Sequence, residues 1–336
     1  MNVALRWTAL AVSSLFLLPA LSASRATAET IKVGMIKNPA AGPALIAIDK
    51  GYFAAAGLTV EPVFFQAAEP VAIAAAGSAV DVALTSFTAA SYTLGGQGVL
   101  RIVAGTARIA PGFRQYVVAV SNKASAGGLK TYADLPGHSV GITQVGGGLH
   151  YILALIAEKY HFGLASVRIE PLQSTANLAT AVVGGSVDAV VEPQIYVKQA
   201  LDAGQAKLLG WVDETISTQI AGVLVSTKTA DQRHEIVEHF LSAYRKGAQD
   251  YAAAFMGPDG RPADGPTAPE MLSLLSKALD QPPSAVKAGL SYIDPQLRLD
   301  SADVLRQIAF YRAQGMIKGT FDDKALIDAR YVSAAP

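Results

Sequence analysis

The chain has 336 residues, 27 basic and 27 acidic side chains, no cysteine, and an apolar content of 51%. A neutral, sparsely charged chain carries no electrostatic footprint for nucleic acid. The lack of cysteine excludes disulfides, thiolate chemistry and a lipidated cysteine tether.

Residues 1–28 read as a secretory signal peptide. Arg6 opens it, the apolar stretch WTALAVSSLFLLPALSA follows with Pro19 inside it, and Ala26-Thr27-Ala28 supplies an A-x-A exit. Cleavage is expected after Ala28, with Ala20–Ser24 as the second choice. The remainder, about 300 residues starting at Glu29, would be slightly acidic and long enough for two domains. It holds no further apolar run of membrane-spanning length. Export without a lipid anchor points to the periplasm of a two-membrane bacterium.

The mature sequence alternates β-branched runs with helical stretches. IKVGMI (31–36) reads as a buried strand and residues 43–57 as a helix between Pro43 and Gly57. Strand 58–65, helix 69–77, strand 80–86, helix 87–96 and strand 100–106 follow, an order that argues for a largely parallel sheet. Strand 116–121 leads through the connection NKASAGG and the turn DLPG (134–137) to a second series: strands 138–142, 167–172, 187–193 and 206–211, separated by helices. Strand 220–227 closes it. Helices 231–256, 269–280, 283–290 and 301–314 form a tail expected to pack on the first unit, with a flexible loop at 257–266.

One pattern occurs twice. AAAGSAVDVALTS (74–86) and AVVGGSVDAVVEP (181–193) align Gly77 with Gly184, Val80 with Val187 and Asp81 with Asp188. Two similar α/β units are therefore expected, lobe I spanning 29–120 and 221–336 and lobe II spanning 121–220. Two chain crossings, near 107–122 and 211–226, would form the hinge.

Ligands in open α/β sheets sit beyond the carboxyl ends of strands. That rule selects Asn38, Pro39, Ala40 and Ala41 after the first strand, Thr85 and Ser86 after the first copy of the repeat, and Gln144 to His150 in the second unit. It also selects Gln173-Ser174, Glu192 and Trp211. Gly146, Gly147 and Gly148 stand between a strand and a helix, where bare N–H groups bind anions; a flexible connection is the alternative. No Lys-Ser/Thr follows them, so they form no nucleotide loop. His150 reads either as a ligand contact or as an exposed polar residue, neutral because the helix dipole disfavours a cation. Arg114 and Arg108 offer charge to an anion, or are solvent-exposed. Glu192 would accept from a ligand or pair with an arginine, and Trp211 would stack on a flat ligand or pack between lobes. The histidines lack metal-type spacing and no serine elbow is present, so neither metal nor cofactor is expected and nothing supports catalysis.

The segments at 31–63, 74–86, 132–142 and 181–193 resemble the periplasmic substrate-binding proteins of ABC importers of the nitrate–sulfonate–taurine type. The resemblance runs from about Ile31 to about Tyr311. It implies a two-lobed periplasmic binding protein fold (type II-like), with parallel or mixed sheets flanked by helices and a hinge of two crossings. It also implies a small organic solute clamped between lobes and delivered by a monomer to a membrane permease and its ATPase. By position the family's ligand contacts fall on Asn38 to Ala41, Thr85-Ser86, Gly146 to His150 and Glu192. The family's helix opening at 146–150 more often carries hydroxyl residues, and the glycines here suggest room for a larger ligand such as an aromatic acid. A periplasmic enzyme, a chemosensory module and a binder of thiamine-pyrimidine precursors on the same fold are the alternatives.

Overall fold

The computed structural model describes Met1 and residues 28–333, so the expected leader lies outside the described residues apart from Met1 and Ala28. The chain begins β1 (Glu29–Ile36), α1 (Gly42–Asp49), α2 (Tyr52–Ala55), β2 (Leu58–Phe65), α3 (Ala68–Ala76), β3 (Val82–Ser86), α4 (Ala89–Gly96) and β4 (Leu100–Gly105). A short β5 (Ala107–Ile109) leads to β6 (Tyr116–Ser121), α5 (Asn122–Ala126), β7 (Ser139–Ile142), α6 (Gly148–Lys159) and β8 (Arg168–Pro171). Then come α7 (Thr175–Gly184), β9 (Ala189–Pro193), α8 (Gln194–Asp202) and β10 (Ala206–Trp211). The return runs through β11 (Thr218–Gln219) and β12 (Ala221–Ser226) to α9 (Thr227–Gln232) and α10 (His234–Phe255). The tail finishes with α11 (Ala268–Leu279), α12 (Pro283–Ala288), β13 (Tyr292–Ile293) and α13 (Ser301–Ala313).

Two five-stranded sheets have the same plan. One is ordered β2-β1-β3-β12-β4 and the other, read from its far edge, β8-β7-β9-β6-β10. Three neighbouring strands are parallel in each, and the fourth place is taken by an antiparallel strand from the far side of a chain crossing: β12 beside β3, β6 beside β9. Every residue of β6, β7, β9 and β12 is buried, the burial expected of strands covered on both faces.

The repeated aspartates explain why the pattern is written twice. Asp81 Oδ2 accepts the N–H of Lys32 at 2.7 Å, and Asp188 Oδ2 accepts the N–H of Ser139 at 2.8 Å. The separation is 49 residues in both cases, so each aspartate ties the turn before a strand to the neighbouring parallel strand of its own sheet. Burial pulls the Asp188 carboxyl up, but hydrogen bonds from Ser139 and His138 outweigh it and hold the group below its ordinary value.

Three expectations shift. The change of sheet falls before Tyr116, not after Val120, because β6 lies between β9 and β10. The connection at 122–128 opens as a short helix, α5, whose Ser121 cap accepts from the Ala124 N–H. A small antiparallel sheet, β11-β5-β13, joins both crossings to the tail; its strands of two or three residues are too short to show alternation. The tail packs on the first unit, α10 lying along α1 and α2, but α12 also rests on α8 of the second. Among the described residues no helix is long and apolar enough to cross a membrane.

Candidate functional site

The ends of the two sheets face each other across a cleft that holds two adjoining cavities, with free volumes of about 50 and 30 Å³. Asn38, Ser86, Tyr116 and Ile36 border both. The first cavity adds Gln66, Thr143, Gln144 and Thr175 to this shared wall. The second adds Ala40, Ala41, Leu84 and Ile220 together with the polar Thr85, Thr106 and Gln115. No charged side chain lines either one.

Helix starts take the place of charged groups. Ala67-Ala68 opens α3 from the first lobe, Gly147-Gly148 opens α6, and Thr175 opens α7, and all of these border the first cavity. Three helices of 9, 12 and 10 residues thus point their positive ends at one small space. The dipole of each favours negative charge, although α3 already carries Glu69 in its first turn, which accepts from the Gln144 side chain, and Ser174 caps the Asn177 N–H of α7. Hydroxyls of Ser86, Tyr116, Thr143 and Thr175 add neutral hydrogen-bonding groups. Burial pushes the Tyr116 phenol up to about 12, so it remains a proton donor.

The glycines do not make room for a ligand. Gly146 has φ +82°, its carbonyl accepts the Ala89 N–H of the first lobe at 2.8 Å, and a Cβ there would lie 3.2 Å from the Ala89 Cβ. A Cβ on Gly148 would lie 3.3 Å from the Ser86 Cβ. Gly147 carries its carbonyl to the Tyr311 hydroxyl at 2.9 Å. The loop is bare because the lobes meet there, so its glycines are no sign of room for a larger ligand.

The other candidates divide sharply. Asn38, Ala40, Ala41, Thr85, Ser86, Gly147 and Gly148 border the cavities. Thr85 donates its hydroxyl to the Ala68 carbonyl at 3.1 Å, and Pro39 is buried beside the cap that Asn38 forms. His150 is buried, not exposed, and lies outside both linings. Its Nδ1 accepts the Gly146 N–H at 3.2 Å, its ring meets Phe310 edge-on, and burial lowers its pKa, so it is a neutral brace for the loop. Arg114 is half exposed, 3.4 Å from Glu214, and its guanidinium covers the Trp211 ring. Neither reaches the cleft, because β10 is the edge strand and Arg114 precedes β6 on that side. Arg108 is held by Asp300 at 3.2 Å.

Glu192 stands behind the cavity wall. It is absent from both cavity linings, whereas its neighbour Pro193 borders the first. It is fully buried, neither carboxyl oxygen has a hydrogen-bond partner, and burial raises its pKa well above the ordinary value. It therefore stays protonated and adds no negative charge beside the helix starts.

Tyr116 and Ile220 escape the strand-end rule, and Gln66, Ala67 and Ala68, which follow β2, are also absent from the selected positions. The rule looks at carboxyl ends of parallel strands, whereas β6 and β12 run the other way and bring their amino ends to the cleft. Thr143 and Thr175 sit one residue beside positions the rule selects.

A family model described as NMT1/THI5 like matches residues 38–254. No curated protein sequence matches the chain. Among solved structures, the chain is similar to the alkanesulfonate-binding protein SsuA from Xanthomonas axonopodis pv. citri bound to MOPS, at 18% identity and TM-score 0.70, covering 89% of this chain and 97% of that one. It is also similar to the periplasmic nitrate-binding protein NrtA from Synechocystis, at 16% identity and TM-score 0.65, with coverage of 88% and 84%. A DszB mutant in complex with biphenyl-2-sulfinic acid shares the architecture at 16% identity and TM-score 0.58, with coverage of 91% and 97%. These likenesses place the chain in the periplasmic binding protein fold.

Proposed function

The chain belongs to the NMT1/THI5-like family, and on that premise we propose that it is the solute-binding component of an ABC importer. It captures a small organic acid, such as a sulfonate or carboxylate, between its lobes and presents it to a membrane permease. The observation that carries this reading is a small cavity at the meeting of three helix starts with no charged side chain in its lining. An acid head is stabilised there by N–H groups and hydroxyls. Both spaces are small, so the bound acid is compact.

Binding works by closure: contacts to both lobes favour the state in which they meet. The leader sequence and the fold support export to the periplasm.

The test is charge placed at the meeting point. Ser86→Asp sets a carboxylate between the helix starts and should weaken binding of an organic acid at least tenfold, while Ser86→Ala costs about 1 kcal/mol for one lost hydrogen bond. Calorimetric titration of both variants reads the difference. Equal affinity in Ser86→Asp and the parent contradicts the acid reading.

A further inference from the structure

The wall of the second cavity contains an unanswered hydrogen-bond acceptor. Gln115 stands there beside Thr106 and Tyr116, is 4% exposed, and has no hydrogen-bond partner for its side-chain oxygen. Its backbone is fixed on both sides. The N–H donates to the Phe113 carbonyl at 2.7 Å, and the carbonyl accepts the Gln194 N–H at 2.8 Å. The side chain therefore leaves from a set point just before β6. Neighbouring polar groups bond elsewhere: the Thr85 hydroxyl donates to the Ala68 carbonyl at 3.1 Å, and Asn38 Oδ1 accepts the Ala40 N–H at 3.0 Å. Burying an amide oxygen without a donor is costly. Gln115 borders only the second cavity, whereas the starts of α3, α6 and α7 border only the first. A solute lying across both spaces would thus meet different chemistry at its two ends.

We propose that the solute carries a hydroxyl at the end remote from its acid group, and that Gln115 is the specificity-determining residue that accepts from it. The proposal rests on the reading of the first cavity as an acid site. It adds the chemistry of the other end. The donor is a neutral hydroxyl and not an ammonium, because neither lining holds a carboxylate to pair with a buried cation. The carbon chain between the two ends is short. One water-sized body needs about 10–15 Å³ of such space. Cavities of about 50 and 30 Å³ therefore hold on the order of six such bodies. A hydroxy-substituted sulfonate or carboxylate of two or three carbons is of that size. The plain alkyl acid of the same length would leave the Gln115 oxygen unpaired.

The experiment varies the tail while the acid head is kept. Calorimetric titration of the mature protein compares ethanesulfonate, isethionate and taurine, and in parallel propanoate, β-hydroxypropanoate and β-alanine. In each set the hydroxyl-tailed acid should bind the parent about tenfold tighter, or more, than the methyl- and ammonium-tailed ones. Gln115→Met keeps the length of the side chain and removes the amide. In that variant the hydroxyl preference should fall to about twofold or less, while the methyl-tailed acid binds as well as before or better. That pattern separates a lost contact from a damaged fold, which would weaken every acid alike. Should Gln115→Met fail to fold by circular dichroism, Gln115→Asn, which withdraws the amide by one methylene, takes its place. A parent that binds the methyl or ammonium tail as tightly as the hydroxyl overturns the proposal, as does a preference left intact in the folded variant. Acids that bind without regard to tail sink this proposal alone; failure of every acid to bind sinks the acid reading with it.

Discussion

Glu192 is fully buried with two unpartnered oxygens, and a carboxyl in that position is tolerated only as the neutral acid. The consequence for stability has a definite sign. Burial raises its folded-state pKa well above 4.5, so the folded chain holds a proton that the unfolded chain releases above that pH. Stability conferred by the neutral form is fully present below the unfolded pKa and is lost as pH rises toward the folded value, by up to about 1.4 kcal/mol per pH unit. Glu192→Gln removes the ionisation while keeping the shape. It should melt with the parent near pH 4 and above it near pH 8, in thermal melts across that range. A variant that melts below the parent at pH 8 would show that the carboxylate is stabilised, contrary to the burial argument. The sequence places Glu192 at the cleft by strand position alone; which face of the strand it occupies depends on the helices packed over it, and those are set by tertiary contacts.

At the scale of elements, the duplicated segment is legible because its chemistry is local. A helix stops at glycine, an aspartate follows, and an apolar strand begins, in both lobes. The structure adds what each aspartate does, which is to hold the amide of the neighbouring strand. Asp81→Ala and Asp188→Ala should therefore each destabilise by about 1–3 kcal/mol, measured by urea unfolding, with similar losses for the equivalent positions. No loss from either would mean that the shared motif is a relic without present structural weight. The parallel strands and their helices were readable from apolar runs and glycine stops. The reversed strands β6 and β12 were readable as strands but not as reversed, because direction is decided by the crossing between lobes. For the same reason Tyr116 was missed, while Asn38 and Ser86, at the ends of parallel strands, were found. The glycine loop was found for one property and serves another: bare backbone suits an anion, and it also suits two lobes in close contact.

For the molecule as a whole, sheets of one plan face each other, and α13 and the small sheet at the crossings bind them together. Closure brings three helix starts to one space from opposite sides, α3 from the first lobe and α6 and α7 from the second. An open molecule would divide this set, so the proposed affinity for an acid would belong to the closed state. The measurement that tests this most directly is calorimetric titration of the mature protein with a series of short alkanesulfonates and carboxylates, followed by recovery of the bound compound. The account predicts saturable binding of one acid per chain, stabilisation that grows as RT ln(1 + [L]/Kd) in matched melts, and unchanged ligand afterwards. Binding of neutral analogues in preference to the acids, or recovery of a chemically altered product, would contradict it.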